Sequence, residues 1–570
     1  MAALPHIRAH AISDYAMRRR VLGLLLASVA GLASAADVTV LTAARIHTMD
    51  ARQPTAEALA YDDSGRILAV GTRAELQRRY PKAKRLDVGT ATVVPGLIDA
   101  HAHVSNLGMT RLTANLVGAR DKAEVIARLR AFERELPPGA WLIGRGWDQN
   151  DWPEKTFPTA ADLDAAFPQR PVWLERVDGH AGWANTAAMR VVKRDLRGDW
   201  QPDGGRVERN ANGEPTGIFI DAAMALIDQA RPPLDEATAE RALVLGMQEA
   251  VAHGLTGIHD AGINLAELQR YRRLADRNAL PLRITAMAAG DGDALAFLCE
   301  HGPYRHPGGR LQMRTVKVYA DGALGSRGAA LLADYSDDAG NRGLMLTSPA
   351  DLARIAARAK QCGVQAATHG IGDRGNREIL DAYARVLGKD AKGDHRWRIE
   401  HAQVVAPDDL ARFAELGVIA SMQPTHATSD MPWAEDRVGP QRIVGAYAWR
   451  QLRDRGARLA LGSDAPVESI DPRLGLYAAV TRADAEGKPT GGWRPQEKLT
   501  HFEALRGFTV DAAYAGFAER DVGSLEPGKR ADFVVLAEDP LAAEPAALRT
   551  LTVLATYVDG KPVFQRQQAK

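Results

Sequence analysis

Two histidines two residues apart, His101 and His103, close an apolar run that reads Val93-Val94-Pro95-Gly96-Leu97-Ile98-Asp99-Ala100-His101-Ala102-His103. On an extended strand, residues i and i+2 point to the same side. The run therefore carries two imidazoles side by side to the end of a buried strand. Paired imidazoles are ligands for a divalent metal such as zinc. Burying both is costly unless they coordinate or hydrogen-bond to something. A pair held only by hydrogen bonds is the plain alternative, so further ligands must come from elsewhere in the chain.

Strand ends supply them. An apolar run with a lysine inside it, Val316-Lys317-Val318-Tyr319-Ala320-Asp321-Gly322, is one candidate. Ala367-Thr368-His369, Ile399-Glu400-His401 and Leu461-Gly462-Ser463-Asp464-Ala465-Pro466 are three more. A lone histidine after a strand reads best as a satisfied structural residue. Metal-capable groups at several strand ends read as one metal centre.

The elements that must position these groups are apolar runs separated by helical patterns. The strand candidates are Thr92–Ala100, Leu255–His259, Leu282–Met287, Met313–Tyr319, Val364–Thr368, Trp397–Glu400, Val418–Met422 and Leu459–Leu461. Leu265–Leu280, Pro349–Lys360, Arg374–Leu387 and Gln441–Arg455 have helical periodicity. Eight βα units predict a (β/α)8 TIM barrel of the α/β class, with chemistry at the C-terminal strand ends. The gap between the first two strands is too long for a βα loop, so an inserted subdomain is expected at about 104–250. Short β sets at 37–92 and 515–570 flank the barrel region 93–514, and each is marginal alone. Joined, they predict one composite β-sandwich.

Composition agrees with a globular protein that has an ample core. The chain has 570 residues, 46% hydrophobic and 25% charged, enough for two or three domains. A formal net charge of +1 offers nothing to nucleic acid or to a membrane surface. Two cysteines, Cys299 and Cys362, imply neither a disulfide framework nor a Cys-rich metal site. Residues 1–35 read as a signal peptide region. Arg18-Arg19-Arg20 precedes an apolar stretch from Val21 to Leu32 and a small-residue cleavage site, Ala33-Ser34-Ala35. Export, periplasmic in type, is expected, with Met17 as an alternative start and no cysteine for a lipid anchor.

Taken together, Pro-Gly-x-Ile-Asp-x-His-x-His, the mid-barrel lysine, His369, His401 and Gly-Ser-Asp-Ala-Pro-Val resemble the metal-dependent amidohydrolase superfamily. The likeness is greatest to its YtcJ-like branch, which includes N-substituted formamide deformylases. Arg145-Gly146-Trp147-Asp148, Asp178-Gly179-His180 and Val522-Gly523-Ser524-Leu525-Glu526-Pro527-Gly528-Lys529-Arg530-Ala531-Asp532 carry the resemblance further. It implies that His101, His103 and Asp464 hold one divalent ion, zinc by analogy, and that His369 and His401 hold a second. Lys317 would bridge the two as a CO2-derived carbamate. An ammonium has no lone pair and repels a cation, whereas burial lowers a lysine's pKa and a neutral amine can be carboxylated. The alternative is Lys317 paired with Asp321 or Asp464 beside a single ion.

The expected reaction is hydrolysis of a non-peptide amide-type C–N bond. The metal activates water, and Asp464 serves as general acid/base. An ester, lactone or phosphotriester hydrolase on the same site is the alternative within enzymes, and a binding or regulatory protein the alternative outside them. The expected partners are a small-molecule substrate and, at most, a second copy of the chain.

The insertion concentrates Trp141, Trp147, Trp152, Trp173 and Trp183, most of which read as its own core. Trp147, Asp148 and His180, in polar turn contexts, are substrate-contact candidates together with Asp321. His426, in Met422-Gln423-Pro424-Thr425-His426, is a candidate oxyanion contact, with an exposed loop histidine as the alternative.

Overall fold

The computed structural model describes residues 37–567, so the leader-like segment lies outside the described residues. Eight parallel strands form the centre: Leu97–Ala102, Leu255–Ile263, Arg283–Ala289, Leu311–Tyr319, Gln365–Gly370, Arg398–His401, Ile419–Met422 and Leu459–Leu461. They pair in sequence order from first to eighth. Helices such as Leu265–Asp276, Pro349–Gln361 and Asp373–Leu387 return between them and bury their apolar stripes on the barrel. This is the expected (β/α)8 barrel.

The seam between the eighth and first strands is closed by the turn that follows strand eight. Asp464 donates its N–H to the His101 carbonyl at 2.7 Å, and His103 donates to the Ala465 carbonyl at 2.8 Å. Asp99 accepts from the Ser463 backbone N–H at 3.0 Å and from the Ser463 hydroxyl at 2.5 Å. Gly462 permits this approach, since a Cβ there would lie 2.6 Å from Asp99 Oδ1 and from the His101 nitrogen.

The apolar run Thr92–Ala100 is two strands rather than one. Thr92–Pro95 joins the terminal sheet, and Leu97–Ala102 starts the barrel. Gly96 is the break, because any Cβ there would collide with the Thr256 side chain. Thr92–Pro95 pairs antiparallel with Phe533–Leu536, joining both termini in one eight-stranded sheet. Arg283 ties that sheet to the barrel, donating to Asp532 at 2.7 and 2.9 Å and to Asp559 at 2.6 Å.

The insertion is a six-stranded sheet built from strands between Ala114 and Asp221. The helices Val104–Met109 and Glu236–Ala252 on either side of it belong to the barrel wall. They meet closely, Gly108 lying against Ala242 and Gly246 against Val104. Two expectations need correction. Gln441–Arg455 is not one helix; Ala434–Arg442 and Trp449–Asp454 are separated around Tyr447, whose φ of 49° breaks the helical path. The two cysteines do pair, as Cys299–Cys362. They are 63 residues apart on neighbouring helical segments, a proximity that spacing alone cannot show. No helix among the described residues is long and apolar enough to cross a membrane.

A cross-link closing a loop of 63 residues restricts the unfolded chain by about 4 kcal/mol. Chemical denaturation of the Cys299→Ser/Cys362→Ser variant should show a clear loss of stability with unchanged native circular dichroism. Equal midpoints for the two proteins would mean that the bond contributes nothing.

Candidate metal centre

The strand ends converge on one buried group of side chains. His101 and His103 leave the first strand with ring centroids 5.5 Å apart. Asp464, after strand eight, faces both: its Oδ1 lies 3.5 Å from His101 Nε2 and 3.2 Å from His103 Nε2. His401, the last residue of strand six, has its ring centroid 4.9 Å from that of His101 and 4.6 Å from that of His369. Lys317 enters from strand four, fully buried, with Nζ 3.2 Å from His101 Nε2. Among the described residues it forms no ion pair, so the pairing with Asp321 or Asp464 considered as an alternative is absent.

This donor set fits a divalent metal. Ligand atoms about 2.0–2.2 Å from a tetrahedral ion lie about 3.3 Å from one another, close to the observed separations. Asp464 Oδ1 is buried without a hydrogen-bond partner, as is Nε2 of His426. Burial and the nearby Lys317 hold the His101 pKa down at about 4, despite the pull of Glu400. Burial likewise drives His369 and His401 well below the ordinary histidine range. Their rings are thus neutral and carry lone pairs. Burial works against the Asp464 charge, but His103 and the surrounding imidazoles hold its pKa well below the carboxylate range. The centre therefore combines neutral nitrogen donors with one anionic oxygen donor.

A supporting layer orients these groups. His101 Nδ1 meets Glu400 Oε2 at 2.5 Å, and Glu400 is clasped by Arg398 at 2.7 and 2.9 Å. Arg398 also reaches His259 Nδ1 at 2.8 Å and the Ser421 hydroxyl at 2.6 Å. His401 Nδ1 meets Gln423 Oε1 at 2.8 Å. His401 and Asp464 themselves have φ of 71° and 61°, a left-handed backbone that costs a non-glycine residue about 1–3 kcal/mol. Sequence reasoning passed over Glu400 and Arg398. Their signal was a charged pair inside an otherwise apolar strand.

The centre floors a cavity of about 520 Å³ between the barrel mouth and the insertion. His180 lines it and is held by Asp221, Nδ1 to Oδ1, at 2.6 Å. Burial opposes the His180 charge, yet the Asp221 contact lifts its pKa to about 9. Asp148 also lines the cavity, pairing with Arg176 and capping the Asn150 nitrogen at 2.8 Å. His426 is neither exposed nor in a loop; it is buried in the helix Pro424–Asp430, with Nε2 3.6 Å from Asp464 Oδ2.

Two substrate-contact candidates are misplaced. Trp147 is fully buried in the insertion core against Trp152 and Trp183, its indole donating to the Leu174 carbonyl at 2.9 Å. Its ring satisfies the subdomain rather than the cavity. Asp321 is fully buried and accepts from the backbone N–H groups of Ala330, Ile371 and Gly372, at 2.9, 3.0 and 2.7 Å. It clasps the loop after strand five.

Because Glu400 orients His101 without facing the cavity, Glu400→Gln should weaken divalent-metal affinity about 10–100-fold. Competition against a chromogenic chelator measures this. Wild-type affinity in that variant would remove Glu400 from the support of the site.

The amidohydrolase family model matches residues 86–564. The chain is 32% identical to the putative amidohydrolase YtcJ of Bacillus subtilis, covering 91% of this chain and 98% of that protein. It is also 32% identical to the N-substituted formamide deformylase of Arthrobacter pascens, covering 93% and 98%. An uncharacterized metal-dependent hydrolase from Pyrococcus horikoshii superposes with a TM-score of 0.73 at 26% identity, covering 89% of this chain and 99% of that one. With a match across most of its length, and with the strand-end donors converging at the barrel mouth, the chain belongs to the amidohydrolase family and is a metal-dependent hydrolase of that type.

Proposed function

We propose that this chain hydrolyses a non-peptide amide-type C–N bond, with Asp464 as general base and then general acid. The observation that carries this reading is Asp464 itself: ionised, positioned between two sets of imidazoles and lining the cavity. His101, His103 and Asp464 would hold the ion, zinc by their chemistry, and it would supply Lewis acidity towards water and the substrate carbonyl. Asp464 takes a proton from the attacking water as the C–O bond forms, and passes it to nitrogen as the C–N bond breaks. The products are a carboxylate and an amine. His180, carrying its proton at neutral pH, offers a positive donor in the cavity wall for an acyl oxygen. Lys317 is proposed to be carboxylated. Its buried amine without an ion pair supports this, since a carbamate would turn it into an anionic oxygen ligand.

The cavity wall carries carboxyls (Asp151, Asp430, Glu468) and basic groups (Arg145, Arg176, Lys317) together, so it does not by itself select the charge of the substrate. The deformylase relative makes N-formyl amines the first compounds to test. We also propose export to an oxidising compartment, supported by the Cys299–Cys362 bond, because disulfides persist there.

Purified protein assayed on paired N-formyl, N-acyl and ester panels should release amine in preference to alcohol. Asp464→Asn should lower kcat/KM on the best amide by about 10²–10⁴-fold. Esters turned over faster than every amide would replace the C–N reading, and a chain purified without divalent metal and inactive after its addition would end the hydrolase reading.

A further inference from the structure

Strands two and six stand opposite each other in a barrel whose eight strands pair in sequence order. His259 of strand two and Arg398 of strand six nevertheless meet across the interior, Nδ1 to Nη1 at 2.8 Å. Both side chains are buried. A guanidinium only donates, so His259 Nδ1 accepts, and the ring is neutral with its proton on Nε2. Burial and the Arg398 charge agree with this, holding the His259 pKa well below the ordinary histidine range. The other edge of the ring is fixed as well. A Cβ on Gly516, just after the helix Val510–Ala515, would lie 2.6 Å from His259 Nε2.

Arg398 needs such an anchor. Its Nε and Nη2 grip the two oxygens of Glu400 at 2.7 and 2.9 Å, and Glu400 Oε2 meets His101 Nδ1 at 2.5 Å. Nη2 also donates to the Ala100 carbonyl at 2.7 Å and to the Ser421 hydroxyl at 2.6 Å, which leaves Nη1 to His259. Without that acceptor a buried donor is left bare, and the guanidinium gains freedom to turn and to carry the carboxylate with it. The groups behind a ligating imidazole set its orientation and thereby the metal affinity.

We propose that His259 is a positioning residue for the metal centre, acting on His101 through Arg398 and Glu400. The proposal rests on His101 as a metal ligand, and it extends the support of the centre to the opposite wall of the barrel.

The test reads affinity rather than activity. Zn2+ is titrated into the metal-free full-length chain against a chromogenic chelator, for wild type, His259→Leu, His259→Asn, Glu400→Gln and His259→Leu/Glu400→Gln. Leucine removes the acceptor, whereas the asparagine amide oxygen can take the place of Nδ1. His259→Leu should bind Zn2+ about tenfold more weakly, the low end of the range for groups behind a ligand. His259→Asn should bind like wild type, and leucine should add little to the loss already caused by Glu400→Gln. Wild-type affinity in His259→Leu overturns the proposal. So does an undiminished tenfold loss in the Glu400→Gln background, or an asparagine variant as weak as the leucine one. Should His259→Leu not fold, Gly516→Ala takes its place, because the added methyl displaces the ring while every polar group remains. The same loss is expected there, and wild-type affinity overturns the proposal. A wild-type chain that binds no Zn2+ overturns the metal reading of His101 and this proposal with it.

Discussion

The clasp between Asp99 and Ser463 carries the architecture of the site. The barrel's ladder runs from the first strand to the eighth, and the turn after strand eight must then be locked onto strand one. Asp99 does this from inside, accepting from the backbone and hydroxyl of Ser463 and from the His101 backbone N–H at 3.0 Å. Burial raises its pKa to about 7 against those hydrogen bonds, the electrostatic cost of placing a carboxylate there. The residues gripped on either side of the seam, His101 and Asp464, are the ones that must face each other. The contacts that close the barrel therefore also bring His101 and Asp464 together.

Around that seam, charge is distributed so that donors remain donors. His101, His369 and His401 are desolvated and neutral, Asp464 stays ionised, and the Glu400 charge is balanced chiefly by Arg398. A buried carboxylate next to His101 would otherwise compete for the same nitrogen. Because Arg398 takes both oxygens of Glu400, the carboxylate acts on His101 through Nδ1 alone and leaves Nε2 facing Asp464 and Lys317. Above this layer the inserted sheet supplies His180 and Asp148 to the cavity, while its tryptophans are spent on its own core.

Much of this was legible in the residues. The barrel strands follow the apolar runs closely because buried parallel strands are nearly continuous in hydrophobicity. The candidate metal donors were legible because His and Asp at the ends of several such runs are hard to explain as structural residues one by one. What escaped had a common cause, dependence on a distant partner. The break at Gly96 is set by Thr256, the Cys299–Cys362 bond by helix packing, and the burial of Trp147 by Trp152 and Trp183. The role of Asp321 as a backbone clasp depends on a loop that follows the next strand.

The sequence by itself determined the fold class, the family, and which side chains could bind metal, since hydrophobic period and residue type are local properties. The two-residue spacing of His101 and His103 was enough to place both on one side of a strand. Only the tertiary structure decided how the donors share the centre. The left-handed backbone at His401 and Asp464, the two faces of the Asp464 carboxylate and the approach of His426 arise where strands far apart in sequence end together. Such positions are imposed by closure of the barrel, and no stretch of chain short enough to be read locally contains both partners.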